Sequence, residues 1–251
     1  MTAMSASNAV PGFLPSTNGL HFPNAFPADD TYPVVSLPLI GDVVSGQAMN
    51  GICGGFVYTA LDLFRHSPRL QPPADDTVPE PGSPLYRYLT RRFVDSLGPS
   101  VFQNAAKAVD WTQAAGHDGG FLQLTMSLAK RMVVTEWPAI RADIDAGRPS
   151  PLYLIAAPQC ALGDVGAITA ALGHSHQVLA YAYDLGDDRS LALHVYDCNH
   201  PDRDDMTVAL TLGASSADLP IDTSTLDLPK PIRAVFHAAY APADPSSIAH
   251  A

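Results

Sequence analysis

The feature that most limits how this chain can fold is the row of short apolar runs that follows Pro149. PLYLIA (151–156), HQVLAYAYD (176–184), SLALHVYD (190–197), MTVALTL (206–212) and IRAVFHAAY (232–240) are each strand-length and separated by turn residues. GDD at 186–188 falls between the second and third runs and predicts a hairpin turn. Runs joined by a link as short as this one pair antiparallel, because a parallel pair needs a crossover of a dozen residues or more.

Before Pro149 the apolar spacing changes from strand-like to helical. Phe56, Ala60, Leu63 and Phe64 recur at helical intervals, which predicts a helix that begins near Cys53 and stops before Pro68. Residues 66–84 hold six prolines and no periodicity, so they read as a surface loop. Leu85, Leu89 and Phe93 share one stripe of a helix over 84–95, and 119–134 is apolar-periodic again. A helix start at Thr135, with Pro138 in its first turn, and a stop at Gly147 complete this half. Residues 1–45 lack helix signals and read as an extended arm packed on the body through Phe13, Phe22, Phe26 and Tyr32. The expected architecture is α+β, with one domain over 46–240 made of a helical lobe (46–148) and an antiparallel sheet lobe (149–240), flanked by the arm and a tail over 241–251.

Composition narrows the function classes. Apolar residues make up 47% and charged residues 16% of the 251 positions, which is globular usage. A net charge of −11 argues against nucleic-acid binding, which needs a basic face to displace counterions from phosphates. No apolar run approaches the roughly 20 residues needed to cross a bilayer. The start lacks a charged region followed by an apolar one, so no secretory leader is expected. Three cysteines (Cys53, Cys160 and Cys198) are too few for a disulfide framework, and the expectation is a cytoplasmic protein with reduced thiols.

Four places carry chemistry. Cys53 sits in QAMNGICGGF, where Gly54 and Gly55 allow a sharp turn into a helix and a close approach to a ligand. A thiol at a helix N-terminus has its thiolate favoured by the free N–H groups and the dipole. Gln47, six positions upstream, offers a side-chain amide that can share an oxyanion with the Cys53 N–H. His176 heads an apolar strand with His174 two residues before it, and His176 is preferred as the base because it abuts the strand. Asp197 closes the neighbouring strand, placed to orient the His176 ring, with Asn199 as the alternative for that role.

Gln47, Cys53, His176 and Asp197 stand in the order Gln–Cys–His–Asp/Asn, and their neighbourhoods (roughly 45–65 and 150–212) resemble the papain-like cysteine peptidase superfamily. The short HQVLAYAYD…VYDCNHP hairpin is similar in style to the bacteriocin-processing-peptidase-like branch. Phe56 follows two glycines where that family usually has an aromatic directly after the cysteine, and Cys198 stands where Asp-Pro is commoner. The resemblance implies a Cys-bearing helical lobe, a His-bearing sheet lobe and a catalytic cleft between them. It implies an acyl-thioester on Cys53, no cofactor, and a peptide or small acyl or amide substrate contacted by Gly54, Gly55, Asn199 and His174. Hydrolysis is the leading expectation, followed by acyl transfer or cyclisation, and then by a binding module without catalysis.

A zinc-like set of His174, His176, Cys198 and His200 is the chemical rival, weaker because no CxxC or HExxH accompanies it. Trp111 and Trp137 read as core, and Arg91–Arg92 and Lys130–Arg131 as solvated faces.

Overall fold

The computed structural model describes residues 5–26, 34–37, 41–44, 52–67, 69–98, 103–114, 126–156, 161, 164, 166–167, 173–213 and 220–248. The runs after Pro149 become strands β4 (Ser150–Ile155), β5 (His176–Leu185), β6 (Ser190–Tyr196), β7 (Thr207–Thr211) and β9 (Ala234–His237), with a two-residue β8 (Ile221–Asp222) before the last. They pair antiparallel in the order β8-β7-β6-β5-β4-β9. The GDD segment makes the turn between β5 and β6, whose ladder begins at Leu185 opposite Leu191.

The N-terminal arm is part of this sheet. Its strand β1 (Ala6–Ala9) pairs antiparallel with the second half of β5, beyond the residues that β4 covers. A bulge between Ala180 and Ala182 interrupts the β5–β6 ladder, and the Tyr181 carbonyl there accepts the Val10 N–H at 2.8 Å. Around a single turn of helix, α1 (Pro15–Asn18), the arm lays Phe13, Phe22 and Phe26 into the core, as expected of its aromatic rings. Tyr32 lies outside the described residues. A separate two-stranded hairpin joins β2 (Val34–Leu37) to β3 (Gly41–Val44).

Helix α2 (Cys53–His66) lies between β5 and α3 (Pro84–Ser96), and this sandwich leaves it almost no solvent face. Every residue from Cys53 to Leu63 is buried. Phe22 and Phe26 from the arm pack edge-on against Phe56 at 5.3 and 6.2 Å. Helix α4 (Gln103–Gln113) went unread in the sequence, and its Trp111 meets Phe236 of β9 at 5.3 Å between ring centres.

Two helical expectations need correction. The helix does not start at Thr135: α5 (Leu128–Arg131) runs through a π segment (Met132–Glu136) directly into α6 (Trp137–Asp145). Pro138 lacks an N–H and crowds the preceding turn, and the wider π turn just before it, with the Trp137 N–H bonded to the Met132 carbonyl, absorbs the mismatch. Arg92 is not on a solvated face. It is 2% exposed, with Nε 2.7 Å from the fully buried Asp62 carboxylate, and its terminal nitrogens reach Asp62, Asp95 and the Ala241 carbonyl. Position 92 follows Leu89 by one helical turn and so faces α2, where only a charge partner makes burial tolerable. Asp62 also accepts from the Tyr88 and Tyr240 hydroxyls at 2.8 and 2.5 Å and from the Ala243 N–H at 2.9 Å.

Candidate active site

Ile52 is the residue before α2, and its carbonyl accepts the Gly55 N–H at 2.8 Å, closing the first turn over Cys53. Ile52 itself makes no side-chain cap bond, and no acidic residue lies in the first turn. The two glycines after Cys53 have their absent side chains directed at protein. A Cβ on Gly54 would meet Ser96 Oγ at 2.0 Å, and one on Gly55 would meet the Leu89 carbonyl at 2.3 Å. They let α2 press against α3, so both glycines have a packing role at this point.

His176 opens β5 opposite Leu154 of β4. Continuing the β5–β6 register places Asp197 level with Val178, two residues along the same face from His176. The two side chains meet: His176 Nε2 lies 2.7 Å from Asp197 Oδ1. Cys53 lies close enough to the ring to act on its charge, and Nδ1 is the ring nitrogen that Asp197 does not take. Helix start, strand start and strand end thus converge at one point. Cys53 and His176 are each 6% exposed and Asp197 is fully buried.

A buried carboxylate needs donors, and Asp197 has three. His176 and the Asn199 N–H (3.0 Å) share Oδ1, while His200 Nδ1 reaches Oδ2 at 2.9 Å. Burial raises the Asp197 pKa, but His176 and these hydrogen bonds outweigh it and hold the carboxyl below its ordinary value. Burial equally opposes charge on His176, yet the Asp197 charge and bond, with Cys53, push its pKa up to about 10. At neutral pH the arrangement favours an imidazolium held between a carboxylate and a thiol.

The other expected residues fall in several places. Gln47 and Cys160 lie outside the described residues. His174 sits half-buried in a helical step before β5, while His176 carries the contact to Asp197. Asn199 is exposed and accepts from Asn24 of the arm at 3.4 Å, so Asp197 holds the His176 ring and Asn199 does not. Cys198 is buried, and burial, then the charges of Asp197 and Cys53, push its thiol well above the ordinary range. Ligand atoms of His176, Asp197 and Cys198 lie within 4.8 Å of one another. The 2.7 Å His176–Asp197 contact is a direct hydrogen bond, shorter than two ligands about 2.0–2.2 Å from one tetrahedral metal would stand apart.

Two contributors were missed. Tyr153 of β4 is close enough for a Cys53 charge to act on its hydroxyl, which burial first and that charge second keep protonated. Within PLYLIA it carries no signal beyond that of a core strand residue. Asn24 bonds to the chain on both sides of the site, and an asparagine in a polar arm offers no pattern to read. Comparison of the chain with protein-family models, with curated proteins and with solved structures finds no match.

Proposed function

We propose that the chain is a papain-like cysteine enzyme that forms an acyl-thioester on Cys53 and hydrolyses a peptide or other amide bond. The observation that carries this reading is the convergence of Cys53, at the start of a helix, on the hydrogen-bonded His176–Asp197 pair, whose carboxylate is fully buried. A buried carboxylate held on the imidazole favours catalysis over a binding module, which has no need of that pair.

In the proposed reaction the thiolate of Cys53 attacks the acyl carbon, and the carbonyl π pair moves onto oxygen. The Cys53 N–H and Gln47 receive that oxyanion, and losing a donor of this kind costs about 10²–10³ in rate. His176 passes its Nδ1 proton to the departing amine as the carbon–nitrogen bond breaks. Asp197 keeps the ring in this orientation and stabilises its charge. His176 then takes a proton from water as the water oxygen attacks the thioester, which releases the acid and restores the thiol pair.

The low exposure of Cys53 and His176, 6% each, favours a second reading in which the acyl group passes to an amine instead of water. Incubation with an electrophilic peptide library, followed by mass spectrometry of the intact protein and its fragments, tests both. The expected outcome is an adduct on Cys53 that vanishes in Cys53→Ala, with release of acid or amide distinguishing the two routes. An adduct that persists on Cys160 or Cys198 refutes the assignment.

A further inference from the structure

We propose that Asn24 is a positioning residue for the Cys53 site, which makes the N-terminal arm a working part of that site; this rests on the thiol-nucleophile reading above. Three bonds radiate from this one residue. Its side-chain oxygen accepts the Ile52 N–H at 2.9 Å, immediately before Cys53. Its backbone N–H donates to the Cys198 carbonyl at 3.0 Å, and its side-chain nitrogen donates to Asn199 Oδ1 at 3.4 Å. Cys198 and Asn199 directly follow Asp197, so Asn24 ties the helix start that carries the thiol to the turn that carries the carboxylate.

The rest of the arm holds Asn24 in register along the same segment. Gly19 packs against the Tyr196 ring, which a Cβ would approach to 2.7 Å, and the Leu20 N–H donates to the Tyr196 hydroxyl at 3.3 Å. His21 meets Asp202 at 2.6 Å, and Ser16 bonds to Asp204 through its N–H and hydroxyl at 2.9 and 2.7 Å. Residues 16–24 therefore run beside 196–204 as a fastened strap. Cys53 and Asp197 both bear on the His176 ring, so their spacing depends in part on what holds α2 to the end of β6. Asn24 is the direct polar link between them among the described residues.

The test compares alkylation of Cys53 by iodoacetamide at about pH 6 and about pH 9 in the full chain, read by mass spectrometry, because an ordinary thiol with a pKa near ~8.5 reacts only at the higher pH. A paired thiol reacts at both. In Asn24→Ala the rate at the lower pH is expected to fall about 10-fold, while the rate at the higher pH holds, since a displaced pair loses its ion-pair form but keeps its sulfur. A purely structural role would lower the melting temperature and leave the ratio of the two rates unchanged, which overturns the inference. Asn24→Asp keeps the acceptor for Ile52 and loses the donor to Asn199. It carries the test if the alanine variant does not fold: a wild-type ratio refutes the bridge, and a lowered one supports it. If wild-type Cys53 is itself inert at the lower pH, the thiol-nucleophile reading fails and this inference fails with it. A reactive wild type with unaltered Asn24 variants refutes the inference alone.

Discussion

Gly54→Ala probes whether the contact between α2 and α3 sets the position of the thiol. The added Cβ would stand 2.0 Å from Ser96 Oγ, 2.6 Å from Gln177 Nε2 and 2.8 Å from Ser96 Cβ, all under the 3.0 Å that real Cβ contacts respect. The Ser96 hydroxyl is not free to swing away, because it donates to the Phe93 carbonyl at 2.7 Å and accepts from Gln177 at 3.2 Å. Either those bonds break or the helix start moves by about 1 Å. Overpacking of this kind costs about 1–3 kcal/mol. Replacing a helical glycine returns up to about 1 kcal/mol, and each lost hydrogen bond costs about 0.5–1.5 kcal/mol. The expected net is roughly 2 kcal/mol, a melting temperature lower by about 4–8 °C for a chain of this size. A shift of about 1 Å at Cys53 would also lower its reactivity toward an acyl probe by up to about 100-fold. Adding Ser96→Ala removes the atom at 2.0 Å and leaves those at 2.6 and 2.8 Å, so partial recovery of both readouts is expected. A Gly54→Ala protein that melts and reacts like the wild type would refute this account of the glycine.

Asp197→Asn removes the charge that holds the His176 proton, so NMR titration should find the His176 pKa falling from about 10 to below its ordinary 6.5, where burial alone drives it. Because the wild-type value is raised, the stability from His176 is complete below pH 6.5 and lost as pH rises through about 10; denaturant melts should show that slope vanish in the variant. His200→Ala takes a donor from Asp197, whose depressed pKa gives stability above 3.8 that is lost as pH falls through the folded value. The folded value then moves up toward 3.8, and acid denaturation followed by circular dichroism should begin at higher pH; an unchanged midpoint refutes the contribution. Arg92→Leu leaves Asp62 buried without its cation and should destabilise by about 3–5 kcal/mol in denaturant titrations, with less than about 1 kcal/mol counting against the network.

The sheet was legible because each strand from β4 to β7, and β9, is an apolar run with a turn signal on either side. Helix α2 was legible because Phe56, Ala60 and Leu63 recur at helical spacing on buried positions and it ends at His66, short of the proline in the sequence at 68. Strand β1 was not, since ASNA has no alternation; it forms because β4 leaves the second half of β5 without a partner on that side. Arg92 misled because adjacent arginines usually share a solvated face, and its partner Asp62 lies far back in the sequence. For the candidate site, Cys53, His176 and Asp197 stood out as reactive residue types at element ends. The chain could not announce Asn24 or Tyr153, because their contributions arise from three-dimensional neighbours and not from local pattern.

The closing segment of the chain has a consequence for synthesis. Asp62 and Arg92 belong to the first half of the sequence, but Tyr240, Ala241 and Ala243 supply hydrogen bonds to that buried pair. Residue Ala239 likewise satisfies Asn104 through both its N–H and its carbonyl. A ribosome-bound chain lacking these residues has α2 and α3 translated while their shared ion pair is still short of its last partners. The helix that presents Cys53 therefore reaches its final packing only after residue 243 has emerged from the exit tunnel. Stalled or prematurely terminated products would carry Cys53 without the full set of contacts that packs its helix.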